Sequence, residues 1–137
     1  LGGMYADDGL AHLRLADGEM LAGVGVPAPG GTRAGYEKAR IRGAIDFPLA
    51  GVAISVKRQG GKLAELRCAL TGTDPRPLLV EGTEALAGAA MNEDTLARLH
   101  KLVGRSIQPM ESTFTASRYR RHVAANLAVR LAGRLFA

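Results

Sequence analysis

YEKARIRGAIDFPLAGVAISV, residues 36–56, is the stretch that decides the fold. It opens with an alternating run, Tyr36-Glu37-Lys38-Ala39-Arg40-Ile41-Arg42. It turns through Gly43-Ala44-Ile45-Asp46-Phe47-Pro48 and continues into Val52-Ala53-Ile54-Ser55-Val56. Side chains two residues apart share a face of a strand, so the first run predicts a strand with Lys38, Arg40 and Arg42 on one side. The β-branched residues of the last run predict a second, half-buried strand. Between them lies a polar corner shaped by glycine and proline, with a single carboxylate, Asp46.

Working outward, Arg58-Gln59-Gly60-Gly61-Lys62 predicts a hairpin turn into a strand from about Leu63 to Thr71, with Leu66, Cys68 and Leu70 on one face. Gly72-Thr73-Asp74-Pro75-Arg76-Pro77 should end the sheet, because prolines cannot donate to a ladder. Everything beyond reads as helical. Thr83 to Leu86 is a short helix stopped by Gly88. Asn92 is an N-cap for a second, with Glu93 and Asp94 in its first turn and Leu96, Leu99, Leu102 and Val103 as its apolar stripe. The third and longest begins near Thr115 or Ser117, with Tyr119, Val123, Leu127, Leu131 and Leu135 recurring every four residues. Upstream, Asp7-Asp8-Gly9 and Asp17-Gly18 favour turns. Glu19 to Val26 reads as a strand stopped by Pro27, and Ala28-Pro29-Gly30-Gly31-Thr32 as a linker. Strands first and helices last predict an α+β fold: an antiparallel sheet of three or four strands packed against about three helices.

The bulk properties narrow the function classes. A chain of 137 residues is one domain's worth, and 47 % hydrophobic with 23 % charged residues excludes a disordered chain. With Trp absent and aromatics at 4 %, the core must be aliphatic. No apolar run approaches the roughly 20 residues needed to span a bilayer, and no basic start leads into an apolar signal segment. One cysteine, Cys68, makes neither an internal disulfide nor a metal cluster and reads as a small buried residue. These features lead us to expect a cytoplasmic protein with no membrane partner. The chain starts Leu-Gly-Gly within patterned sequence, so we expect a piece of a longer polypeptide or a processed product. A net charge of +5 invites a nucleic-acid reading. The arginines, however, are spread over several elements and stacking aromatics are lacking, which argues against nucleic acid.

No motif supplies a reaction centre. His12, His100 and His122 are not spaced as metal ligands, and no serine among Ser55, Ser106, Ser112 and Ser117 lies in a Gly-x-Ser-x-Gly context. The Gly23 and Gly25 pair is followed by prolines rather than by a helix able to receive a pyrophosphate. Asp7-Asp8 and Glu93-Asp94 are a turn and a helix start. Two basic clusters remain. Ser117-Arg118-Tyr119-Arg120-Arg121-His122 is either a solvated helix face or a docking surface for an acidic partner. Lys38, Arg40, Arg42 and Asp46 are either structural ion pairs at a strand corner or neighbours of a cofactor's phosphates or ring.

Tyr36-x-Lys38-x-Arg40-x-Arg42 followed by Asp46-Phe47-Pro48-Leu49-Ala50-Gly51-Val52-Ala53 resembles the start of the C-terminal domain of FAD-binding medium subunits of molybdenum hydroxylases. Leu70 to Pro77, Glu84-Ala85-Leu86-Ala87-Gly88 and Ala116 to His122 follow in the family's order, so the resemblance covers roughly residues 19 to 136. Ile45 to Leu49 and the lead-in Tyr5-Ala6-Asp7-Asp8-Gly9 look most similar to the 4-hydroxybenzoyl-CoA reductase branch, with carbon monoxide dehydrogenase and xanthine dehydrogenase more distant.

The resemblance implies a carbon monoxide dehydrogenase flavoprotein C-terminal-domain-like fold and a part in electron transfer within an oxidoreductase. Residues 1–32 would then be the end of an upstream flavin-domain segment and a linker, and residues 33–137 the C-terminal domain. It implies FAD as cofactor, with its main site on an upstream FAD-binding domain absent from this chain. Molybdopterin and iron–sulfur clusters would sit only on partner subunits. Lys38, Arg42, Asp46 and Phe47 are the residues it places near the flavin, with no catalytic or metal-binding residue. The reductase branch carries an extra iron–sulfur cluster that the lone Cys68 cannot supply. The alternative is a non-enzymatic basic module for nucleic acid or an acidic protein.

Overall fold

Val52, Ile54 and Val56 alternate with smaller residues along one strand, and all three side chains are buried. In the computed structural model, which describes residues 2–6, 8, 10–43, 45–108 and 115–137, that strand lies inside a four-stranded antiparallel sheet. The strands are β1 (Thr32–Ala39), β2 (Ala50–Gln59), β3 (Lys62–Thr71) and β4 (Leu78–Leu79), paired in that order. Tyr36 faces Ala53, and Ile54 faces Cys68. Gly60 and Gly61, both at positive φ, make the tight turn joining β2 to β3.

Two helices cover one face of the sheet: α1 (Glu93–Ser106) and α2 (Ser117–Phe136). Asn92 caps α1 as its sequence predicts, its side-chain oxygen accepting the Thr95 N–H at 3.0 Å. α2 packs across β1 and β2 and against α1. The core is aliphatic, with Leu66, Cys68, Leu70, Leu99, Val103 and Leu131 sealed from solvent. The α+β architecture therefore stands as expected.

Four expectations change. Glu19 to Val26 forms no strand: residues 10–31 are exposed throughout, and this segment has no ladder partner among the described residues. Strand-like alternation cannot make a strand without an edge to pair with. The sheet does not end at the prolines, because β4 follows them and the Val80 N–H donates to Cys68 O at 2.8 Å. The first predicted helix, Thr83–Leu86, is a single 3₁₀ turn between Gly82 and Gly88, both at positive φ. Four residues are too few for α-type bonding to propagate. On α2, Tyr119 is 54 % exposed and leaves the apolar face, which Ala124, Ala125, Ala128 and Ala132 complete instead. Of the predicted features, Asp7, Gly9, Ala44 and Ser112 lie outside the described residues.

The sheet edge is clamped to α2 by charge. Glu37 on β1 accepts Arg130 Nε at 3.1 Å, and Arg134 reaches its other oxygen at 2.6 Å. The Arg130 hydrogen bond, aided by both guanidinium charges, holds the Glu37 carboxyl below the usual carboxylate range. A carboxyl lowered in the folded state stabilises above its unfolded range, and that contribution is lost as pH falls through the folded value. Both arginines are mostly exposed, so the pair is worth about 0.2–1 kcal/mol. Thermal melts between neutral and acid pH should show a steeper acid-side loss for the native chain than for Glu37→Gln. Parallel curves would show that the clamp contributes nothing.

Candidate functional site

β1 stops at Ala39, whose carbonyl accepts the Leu49 N–H at 2.8 Å, and residues 40–43 and 45–48 swing out as a corner. Lys38 therefore sits on the strand, while Arg40 and Arg42 lie beyond it. The predicted basic strip along one strand face is thus corrected, because closure of the corner onto Ala39 takes the two arginines out of the pleat. Lys38 is exposed on the sheet face opposite the helices, two residues from Tyr36.

Asp46 organises the corner. Its Oδ2 accepts the Arg42 backbone N–H at 3.0 Å, and Oδ1 lies 3.7 Å from the Arg42 guanidinium. The Arg42 N–H is the main cause holding the Asp46 carboxyl below its ordinary range, supported by the Arg42 charge and the Ile41 and Phe47 N–H groups. Ile45, a β-branched residue, is held at φ 37°, a left-handed conformation that costs about 1–3 kcal/mol and is tolerated where surrounding contacts impose it. The Phe47 ring next to it is 91 % exposed. An apolar ring presented to solvent from a corner fixed by a partly buried carboxylate is shaped for contact with another body.

A neighbouring loop completes the corner. Gly72 has φ 75°, and a Cβ there would fall 2.7 Å from Pro48 O, so only glycine lets the two loops touch. Arg120 from α2 donates to Gly72 O at 3.4 Å. Asp46, Phe47, Pro48, Gly72 and Arg120 border a cleft of about 390 Å³. On the open sheet face, the Tyr36 hydroxyl lies 3.4 Å from the Thr71 hydroxyl, spanning β2 at Gly51. Any Cβ at Gly51 would collide with both hydroxyls.

Of the sequence-predicted residues, Arg42 and Asp46 are brought together, and Phe47 shares the cleft with Asp46. Lys38 stands apart on the outer face. Sequence reading missed the Tyr36, Gly51 and Thr71 set, although Tyr36 shares a strand face with Lys38 and could have been found by that spacing. It also missed the meeting of His100 and His122, whose rings pack edge to face with centroids 5.9 Å apart across α1 and α2. Among the described residues no group of three His, Cys, Asp or Glu could hold a metal ion. Burial pushes the Cys68 thiol up to about 12, which makes it inert as a nucleophile at neutral pH.

Residues 34–135 match the family described as the CO dehydrogenase flavoprotein C-terminal domain. A glyceraldehyde dehydrogenase medium chain from Sulfolobus acidocaldarius is 28 % identical over 114 residues, covering 82 % of this chain and 40 % of that protein. Among solved structures, carbon monoxide dehydrogenase from Hydrogenophaga pseudoflava is similar at TM-score 0.72 and 26 % identity, covering 78 % of this chain and 37 % of that one. Quinoline 2-oxidoreductase from Pseudomonas putida 86 shares the fold at TM-score 0.71 and 20 % identity, covering 77 % and 37 %. The chain thus spans about two fifths of the length of the proteins it matches.

Proposed function

The chain belongs to the CO dehydrogenase flavoprotein C-terminal domain family, and from that membership we propose that it forms one wall of the FAD site in the medium subunit of a molybdenum hydroxylase. The carrying observation is the corner at residues 40 to 49, where Asp46 fixes the backbone and Phe47 stands exposed beside a cleft. When bound, FAD supplies the exchange of electrons between the enzyme and an outside partner. The residues of this chain do simpler work. Arg42 brings positive charge to the corner and Lys38 to the adjoining outer sheet face, Phe47 offers an apolar surface that excludes water, and Asp46 keeps the corner in one shape.

The residues fit a wall and not a whole site. Among the described residues neither helix is preceded by a glycine loop, and α1 begins with Glu93 and Asp94, which repel a pyrophosphate. The pyrophosphate would therefore be held by an upstream domain. Residues 1–32 would be the tail of that domain and its linker, with 33–137 as the C-terminal domain. Seven large apolar side chains between Leu10 and Val26 stand exposed in this structure, as expected of a segment packed on another body. Molybdopterin and iron–sulfur subunits would complete the oxidoreductase.

The 137-residue chain alone should bind FAD more weakly than about 1 µM, equivalent to about 8 kcal/mol. Quenching of flavin fluorescence on titration measures this directly. A submicromolar dissociation constant would mean that the chain holds a complete flavin site, and the wall assignment would fall.

A further inference from the structure

The two edges of the sheet are built differently. β4 is two residues long and follows Pro75 and Pro77, so little of it can pair with another strand. β1, at the opposite edge, runs from Thr32 to Ala39 with no proline and an unbroken register against β2. Its outward groups follow from the ladder. The Val80 N–H donates to Cys68 O, so Cys68 turns its peptide groups toward β4, and its partner Ile54 turns its own toward β1. Ile54 meets Gly35 there, so Arg33, Gly35 and Glu37 bond inward. Ala34, Tyr36 and Lys38 therefore present both N–H and C=O at the open edge. Among the described residues nothing bonds to those groups.

Charge brackets this edge. Arg33, Gly35 and Glu37 share the helix side of β1, since a Cβ on Gly35 would meet Leu131 at 3.1 Å, and Tyr36 and Lys38 lie on the open face. Arg33 and Lys38 are exposed near the two ends of the strand, and no acid among the described residues meets either. Charges on an edge strand exclude wrong partners. A second copy of β1 is one of them, because Arg130 and Arg134 lean on Glu37 at the same edge and would face their counterparts across a two-fold axis. The chain's own residues 19–26 are another. Folded back through residues 27–31, they would set Gly25 against Arg33 and Met20 against Lys38, with no acid for either.

We propose that the open edge of β1 is a strand-addition site for an extended, carboxylate-bearing segment of a partner polypeptide. Main-chain groups of Ala34, Tyr36 and Lys38 supply the hydrogen bonds, and Arg33 and Lys38 select acids at the matching positions. Arg33 bonds inward, so across the added strand it stands in the closer kind of pair, where facing side chains touch. Between the two acids the segment crosses Gly35 beside the half-buried Leu135, which suits an apolar residue there. The site is the strand edge and not the corner at Asp46, so this inference does not rest on the flavin reading.

The test is fluorescence anisotropy of the chain with a labelled, end-capped peptide, Thr-Glu-Thr-Val-Val-Thr-Glu-Thr. Laid antiparallel along β1, it sets its glutamates opposite Arg33 and Lys38. Binding should weaken at least tenfold in Arg33→Glu and less than twofold in Lys62→Glu at the hairpin. Ala34→Pro removes an outward donor, leaves the bonds to β2 in place and should also weaken binding at least tenfold. An added strand uses every second amide, so N-methylation of one alternate set of peptide amides should abolish binding and of the other set should leave it within twofold. No binding up to about 1 mM, or equal effects of the two methylation patterns, overturns the proposal. So does a chain that sediments as a dimer by itself and becomes monomeric in Ala34→Pro, since a second copy would then hold the edge.

Discussion

Leu131→Ala is expected to destabilise the fold by about 2–5 kcal/mol, the range for removing a fully buried leucine from a rigid core. Leu131 is sealed from solvent at the centre of α2, where the helix crosses the sheet. Its neighbours Ala124, Ala128 and Ala132 bring the helix backbone close but fill little volume, so Leu131 and Leu127 supply the side-chain mass on that stretch. The surrounding alanines have no longer side chains to swing into the void, and collapse around the cavity is limited. For a domain of this size the loss should lower the melting midpoint by roughly 6–20 °C. Leu135→Ala, one turn on and only half-buried, should cost clearly less. Chemical denaturation of both variants decides the matter. A Leu131→Ala loss no greater than that of Leu135→Ala would mean that α2 is held by its Glu37 clamp and not by its apolar face.

The parts of the fold legible in sequence are those whose partners are local. Val52, Ile54 and Val56 announce a strand, Gly60 and Gly61 its hairpin, and Asn92 with Glu93 and Asp94 the start of α1. What sequence could not show depends on distant contacts. Glu19 to Val26 has the alternation of a strand, but whether it becomes one depends on an available edge. β4 is too short to announce itself, and exists because Cys68 offers a carbonyl to Val80. The face of α2 was read from its leucines, yet alanines do much of the packing because the sheet lies so close. In the candidate site, Asp46 beside Arg42 was legible as a pair four residues apart. The break of β1 at Ala39 was not, since it depends on Leu49 returning to close the corner.

Asp46→Asn, made in a polypeptide that joins this chain to the proposed FAD-binding domain, should weaken FAD binding at least tenfold, about 1.4 kcal/mol, while leaving the domain folded. The carboxylate accepts N–H groups from its own loop, and the charge is what makes those bonds strong. An amide keeps the shape but presents a donor on one side, so at least one of these N–H groups loses its acceptor. Ile45, held at positive φ, then has less to oppose its return to ordinary backbone geometry, and the exposed Phe47 ring moves with it. None of these groups lies in the main core, so the melting temperature of the 137-residue chain should change little. That split distinguishes a cofactor wall from a structural corner. Arg42→Gln, which removes the weaker 3.7 Å partner but keeps the backbone N–H, should reproduce only part of the affinity loss. Unchanged FAD affinity in Asp46→Asn, or a fall in affinity matched by a fall in domain stability, would remove the corner from the flavin site.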